Sequence, residues 1–219
     1  PATGGTTSGP ACIAARTIDA SAAHVCLLTE GGSVRCWGHN GYGQLGEGTT
    51  VDRYMPASTD AMTGAQAIAL GVVSTCALTL EGGVRCWGDN GSGQLGDGSS
   101  SHLRPPDTDV LSNVRAITAG EEHTCAVTND GGVRCWGYNH YGQLGNGTVL
   151  SASVPPQNDV INNANSIVAG AFHTCTLSVD GKASCWGDNE FGQLGDGTTE
   201  QKTSPVEILS GVTSLTAGD

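Results

Sequence analysis

Val34-Arg35-Cys36-Trp37-Gly38-His39-Asn40-Gly41-Tyr42-Gly43-Gln44-Leu45-Gly46-Glu47-Gly48 is a stretch that the chain repeats. It returns at Val84 to Gly98, at Val133 to Gly147 and, with Ala183 in place of the valine, at Ala183 to Gly197. Trp37, Trp87, Trp136 and Trp186 stand 50, 49 and 50 residues apart. A period near 50 signals a propeller or solenoid, in which one unit cannot bury its apolar face alone and stacked neighbours make the core. Function must then be sought where the copies differ.

Composition narrows the classes. Glycine is 34 of 219 residues, so many backbone positions serve turns or close approach. The net charge of −12 argues against a nucleic-acid partner, which needs a basic stripe. No apolar run approaches the roughly 18 residues of a membrane span, and nothing implies a cofactor. Nine cysteines, eight of them regularly spaced, point to an oxidising compartment. The expected setting is extracellular or at the cell surface, with any export signal already removed.

Along the chain, residues 1–15 read as a flexible linker or processed N-terminus, small and polar at their start. The copies then occupy about 16–65, 66–114, 115–164 and 165–211, with a partial fifth at 212–219. Each offers four short strands. The first holds Ile18, Ile68, Ile117 or Ile167, the second the first cysteine, and the third the second cysteine with the tryptophan. The fourth is weaker and lies near Pro56, Pro105-Pro106, Pro155-Pro156 or Pro205, as suits an outer edge. Short strands between glycine turns indicate an all-β chain.

Cys26 and Cys36, Cys76 and Cys86, Cys125 and Cys135, and Cys175 and Cys185 are each ten apart. If each pair is directly opposite in a hairpin, the loop centres on Gly31, Glu81, Asp130 or Asp180. The next residue, which a three-residue loop needs in the left-handed region, is Gly32, Gly82, Gly131 or Gly181; Gly132, one place on in the third copy, needs no such conformation and is expected to tolerate a side chain better than Gly131. Four disulfides within single repeats follow, since opposed residues sit within bridging distance. Reduced, packed thiols are one alternative. A metal site is another, because His24, His123 and His173 stand two residues before a cysteine; Ser74 at the equivalent place and the absence of a CxxC weigh against it. Those histidines are expected to hydrogen-bond within or between blades. Cys12 is left over.

The repeated stretch resembles the regulator of chromosome condensation (RCC1) repeat, whose signature is Trp-Gly-x-Asn-x-x-Gly-Gln-Leu-Gly-x-Gly. The resemblance covers about residues 16–219 and implies a β-propeller with one four-stranded blade per repeat. The hairpin cysteines are additional to the eukaryotic pattern and fit a secreted bacterial type. The family includes a nuclear exchange factor that binds chromatin and the secreted β-lactamase inhibitory protein II, so fold leaves function open. Its propellers usually close with seven blades; the four full copies and partial fifth are expected to belong to a larger ring or arc. Within the signature, glycines serve tight connections, Gln44, Gln94, Gln143 and Gln193 satisfy loop backbone, and the leucines after them pack between blades.

Strand parity places the turn between strands one and two on the same end as the loop after strand three. That end collects the positions where copies disagree: His39, Tyr42, Asp89, Tyr138, His140, Tyr141, Phe172, Asp188, Glu190 and Phe191. Aromatic residues varied on a constant frame suit binding. No Gly-x-Ser-x-Gly elbow or partnered nucleophile is present, and no catalytic residue is assigned. The expected function is non-enzymatic: an extracellular propeller binding a protein partner through this face. The alternative is self-association, as a structural subunit of a surface assembly or filament.

Overall fold

The computed structural model describes residues 14–218. Most of the stretch read as a linker, and Cys12 with it, lies outside the described residues. The first three copies contribute three antiparallel strands each and the fourth contributes four. These are β1 (Ala15–Ala20), β2 (His24–Thr29) and β3 (Val34–Gly38) in the first, and β4 (Ala65–Leu70), β5 (Ser74–Thr79) and β6 (Val84–Gly88) in the second. The third holds β7 (Val114–Ala119), β8 (His123–Thr128) and β9 (Val133–Gly137). The fourth holds β10 (Ala164–Ala169), β11 (His173–Ser178), β12 (Ala183–Gly187) and β13 (Lys202–Leu209). Each sheet is one propeller blade, and no helix occurs among the described residues.

The hairpins form in the expected register. Each cysteine pair is directly opposed, with Cα atoms 4.1 Å apart, and all four disulfides are made. Gly32, Gly82, Gly131 and Gly181 take φ of 80°, 82°, 84° and 79°. That conformation also turns the glycine carbonyl towards the following blade. It accepts the N–H of Ala65, Ala164 or Val114 at 3.0 Å, and of Val212 at 2.9 Å. The last bond places the fifth copy's opening segment where a first strand belongs, with Leu215 packed near Cys175 and Cys185.

Two expectations need correction. The blades are not uniformly four-stranded. In the first three, the outer segment touches β3, β6 or β9 only at isolated bridges, such as Gly38 to Arg53 and Val34 to Met62. Nine residue steps separate Arg53 from Met62, against four between Gly38 and Val34, so the surplus bulges outwards. The Pro105-Pro106 and Pro155-Pro156 pairs also remove ladder donors there. In the last blade only seven steps separate Lys202 from Leu209, and β13 is continuous. The second correction concerns Gly132, which the turn chemistry alone leaves unconstrained. A Cβ there would run into the Asp159 carboxylate, which Arg134 holds at 2.8 Å. The first blade has Ser33 at this place, and its hydroxyl donates to Asp60 at 2.9 Å.

The core lies between blades. Cys26, Cys36 and Leu45 cluster with Trp87 of the next blade; Cys76, Cys86 and Leu95 with Trp136; Cys125, Cys135 and Leu144 with Trp186. Polar bonds fix each joint. The Gln44 carbonyl accepts from Trp87 Nε1 at 3.0 Å and from Thr75 Oγ1 at 2.8 Å. Gln94 receives Trp136 and Thr124 at 3.0 and 2.9 Å, and Gln143 receives Trp186 and Thr174 at 2.8 and 2.9 Å. Since Thr75 commits its one proton to Gln44, the 2.8 Å contact from His24 Nε2 must be a donation to the hydroxyl. His24 Nδ1 is then free to accept from Ser21 Oγ at 3.0 Å. His123 repeats the donation, to Thr174 at 3.0 Å, so the histidines bond within and between blades as expected.

Burial, the main cause, holds His24 at a pKa of about 4 and His123 at about 3. Both lie below the unfolded value near 6.5. The unfolded chain therefore binds protons that the folded one does not, and stability present above about pH 6.5 is lost as pH falls towards the folded values. Each histidine should cost about 1.4 kcal/mol per pH unit in that window. Urea unfolding at pH 7 and pH 5 should show a drop that is smaller by about 2 kcal/mol in His123→Ser, serine being the occupant at Ser74. An equal drop in parent and variant would rule out a neutral buried imidazole. In the hairpin, Gly131→Ala should lose about 1–2 kcal/mol for its positive φ, while Gly132→Ser, which copies Ser33 of the first blade, should lose less, since only the Asp159 side chain has to shift. Equal losses would contradict the assigned turn.

Candidate functional site

The shared end of the blades is bonded together copy by copy. The first residue after each third strand donates its N–H to the turn between strands one and two. The pairs are His39 to Ala23 (3.0 Å), Asp89 to Val73, Tyr138 to Glu122 and Asp188 to Phe172 (2.9 Å each). Two buried side chains then shape each loop. Asn40 Oδ1 accepts from Leu45 N at 3.0 Å, and its Nδ2 donates to the carbonyls of Thr49 and Val51 at 3.0 and 3.1 Å. Asn139 and Asn189 repeat this pattern. Gln44, Gln94, Gln143 and Gln193 accept, through Oε1, the N–H of Tyr42, Ser92, Tyr141 and Phe191 at 2.9–3.1 Å. The signature residues thus serve the loop, as read from sequence.

The remaining amide end separates one copy from the others. Gln44 Nε2 meets His39 Nδ1 at 2.9 Å, and Gln94 and Gln193 donate to Asp89 and Asp188, each at 2.9 Å. Three of the residues expected to bind a partner are therefore also loop supports. In the third copy the position is Tyr138, whose ring puts no acceptor within reach, and the fully buried Gln143 Nε2 has no partner among the described residues. An unpaired buried donor costs about 1–3 kcal/mol.

The Tyr138 ring instead meets His140, Phe172 and Tyr141, with centroids at 4.6, 6.0 and 6.2 Å. Tyr141 and Phe172 are 5.1 Å apart. Phe172 comes from the fourth blade, so the cluster spans a joint. Tyr141 is 36% exposed, and His140 is exposed. Burial, with Tyr141 and Glu122 nearby, raises the Tyr138 phenol above its usual pKa. Glu122 accepts from Ser92 Oγ at 2.7 Å.

Four of the ten expected residues are thus brought together. His39 and Tyr42 form a separate edge-on pair with centroids 6.2 Å apart. Asp89 stays on the second blade's loop. Asp188, Glu190 and Phe191 (86% exposed) stay on the fourth, and Phe191 makes no ring contact among the described residues. Sequence reasoning passed over Gln143, which looked like one more frame residue; the signal was the tyrosine standing where other copies have His or Asp. The metal reading lacks its ligands, because the thiols it needs are bonded to each other.

The regulator of chromosome condensation (RCC1) repeat family matches at residues 31–78, 81–127, 130–177 and 180–219, and in a shorter form at 15–44, 66–94, 114–143 and 165–193. Among solved structures, human WBSCR16 superposes with a TM-score of 0.80 at 22% identity, over 93% of this chain and 56% of that one. Prp20p from Saccharomyces cerevisiae gives 0.78 at 23%, over 93% and 52%. The ectodomain of the Physcomitrella patens receptor kinase CR4 gives 0.55 at 24%, over 94% and 45%. The chain spans about half the length of these proteins.

Tyr138→Asp and Tyr138→Ala both delete the ring, but only aspartate restores an acceptor for Gln143. Thermal or urea unfolding should find the aspartate variant more stable than the alanine variant by about 1–2 kcal/mol. Equal stabilities would mean that Gln143 is satisfied some other way.

Proposed function

The chain belongs to the regulator of chromosome condensation (RCC1) repeat family, and from that premise we propose that it is a non-enzymatic protein-interaction propeller binding its partner through the loop face. The observation that carries this reading is the third copy. Tyr138 gives up a bond that the frame makes in every other copy and joins three other rings at the surface. Departures from local consistency of this kind concentrate at functional sites. Clustered tyrosine and phenylalanine supply rigid, amphipathic contact area, as interface hot spots do.

His39, Tyr42, Asp89, Asp188, Glu190 and Phe191 would form the rim around Tyr138, His140, Tyr141 and Phe172. An extracellular or cell-surface setting is part of the proposal, supported by four disulfides that fit an oxidising environment. Prp20p is described with its binding to Gsp1p and histones, and yeast RCC1 has been solved bound to Kap60. Those precedents support a protein as partner. The net charge of −12 favours a protein over a nucleic acid. The half-length match to solved relatives supports a place in a larger ring.

The test is the Tyr138→Ala/Tyr141→Ala double variant, with affinity measured for a partner captured by the parent and melting temperature as the folding control. Loss of a hot-spot aromatic costs about 2 kcal/mol or more, so affinity should fall roughly thirtyfold. A folded variant that binds like the parent would exclude this face.

A further inference from the structure

We infer that the segment seated on the Tyr138, Tyr141 and Phe172 rings is basic, and that the rings receive an arginine or lysine side chain beside Glu122. The inference rests on the reading of this face as protein-binding and adds the chemistry of the partner.

The turns and loops of this face carry charge of one sign, with Arg53, Arg104 and Lys202 reaching it only from the outer segments. The turns 21–24, 71–74, 120–123 and 170–173 and the loops 39–48, 89–98, 138–147 and 188–197 contain no lysine or arginine. Six of their eight acids fall into two groups. Glu47 and Asp196 are paired with Arg53 and Lys202 from the outer segments, and Asp97 is hydrogen-bonded to His102 there. Asp89, Asp188 and Glu122 accept only neutral donors among their hydrogen bonds: Gln94, Gly91 N and Ser101 for the first, Gln193 and Glu190 N for the second, and Ser92 for the third. Meanwhile Arg35, Arg85 and Arg134 are engaged by Asp60, Asp109 and Asp159 on the outer segments. Negative charge without a paired cation thus stands on the end that carries the aromatic cluster; the hairpin end also has acids, at Glu30, Glu81 and Asp130, but no aromatic residue beside them.

The two features select the same ligand. Ring faces are electron-rich and attract a cation placed over them, arginine most often. A guanidinium can stack on a tyrosine while its N–H groups reach a carboxylate, a combination that a neutral side chain does not offer. Glu122 is adjacent in the required sense: its carbonyl holds Tyr138 N–H, and its carboxylate bears on the Tyr138 phenol. The field of a chain at −12 would draw a basic segment to this end and speed its association.

The probes are synthetic nonapeptides on a Gly/Ser background, identical except for central arginines, lysines, norleucines or glutamates. Binding is followed by amide NMR shifts and by fluorescence titration in low salt and at 0.15 M. The arginine and lysine peptides should shift resonances around Glu122, Tyr141 and Phe172, with affinity falling as salt rises. Tyr141→Ala/Phe172→Ala leaves the net charge unchanged and should weaken binding about tenfold. Glu122→Gln should weaken it several-fold, whereas Glu81→Gln, the same charge change at the exposed hairpin end, should have no effect. Norleucine peptides that bind as well as arginine ones would overturn the basic partner while leaving the face an interaction surface. Arginine binding that ignores the aromatic variants, or shifts confined to other parts of the chain, would overturn it together with the face. No binding by any probe would overturn the inference as well.

Discussion

One backbone carbonyl per joint holds this array together. Gln44, Gln94 and Gln143 each present a carbonyl oxygen that receives both the indole N–H and the threonine hydroxyl of the following blade. Small blades bury little by themselves, so the register between neighbours is a stability problem as well as a geometric one. Two donors on one acceptor fix translation and tilt together. The requirement spreads outwards from there. A Cβ on Gly46, Gly96 or Gly145 would stand 2.5–2.7 Å from the indole nitrogen it must let pass, whereas at Gly195, with no following tryptophan, nothing lies within 4 Å. The disulfides stiffen the hairpin that carries each tryptophan and form the floor on which the next indole rests.

How much of this was legible in the sequence follows from the range of each interaction. The hairpin was readable because cysteines ten apart and a glycine after the loop centre are local signals that agree with one another. The joint was not, since its partners are 30–50 residues apart and its acceptor is a main-chain atom that side-chain identity does not reveal. The role of Thr75, Thr124 and Thr174 was hidden for the same reason. Val25, at the equivalent place in the first copy, is the trace that position leaves in the sequence. Fourth strands were over-read: the prolines marked an outer edge, but the surplus of chain between its anchor points becomes visible only once the bridges are located.

For the candidate site, parity of antiparallel strands was enough to gather the variable residues on one end. It could not separate those that support their own loop from those that are free to face a partner. His39, Asp89 and Asp188 support their loops, and Tyr138 does not. A frame held by backbone and buried amides tolerates exchange at one surface position because its other bonds persist: Asn139 still spans its loop and Gln143 still receives Trp186. This division of labour lets a repeat keep its fold while one copy acquires a different surface.

The joint can be tested through the four indole N–H groups. Trp87, Trp136 and Trp186 are fully buried and bonded, while Trp37 is half-buried with no acceptor for its Nε1 among the described residues. Hydrogen exchange followed on the indole signals of the folded protein should leave Trp87, Trp136 and Trp186 protected to a similar degree. Free exchange at any of these three would contradict a fold organised by the glutamine carbonyls.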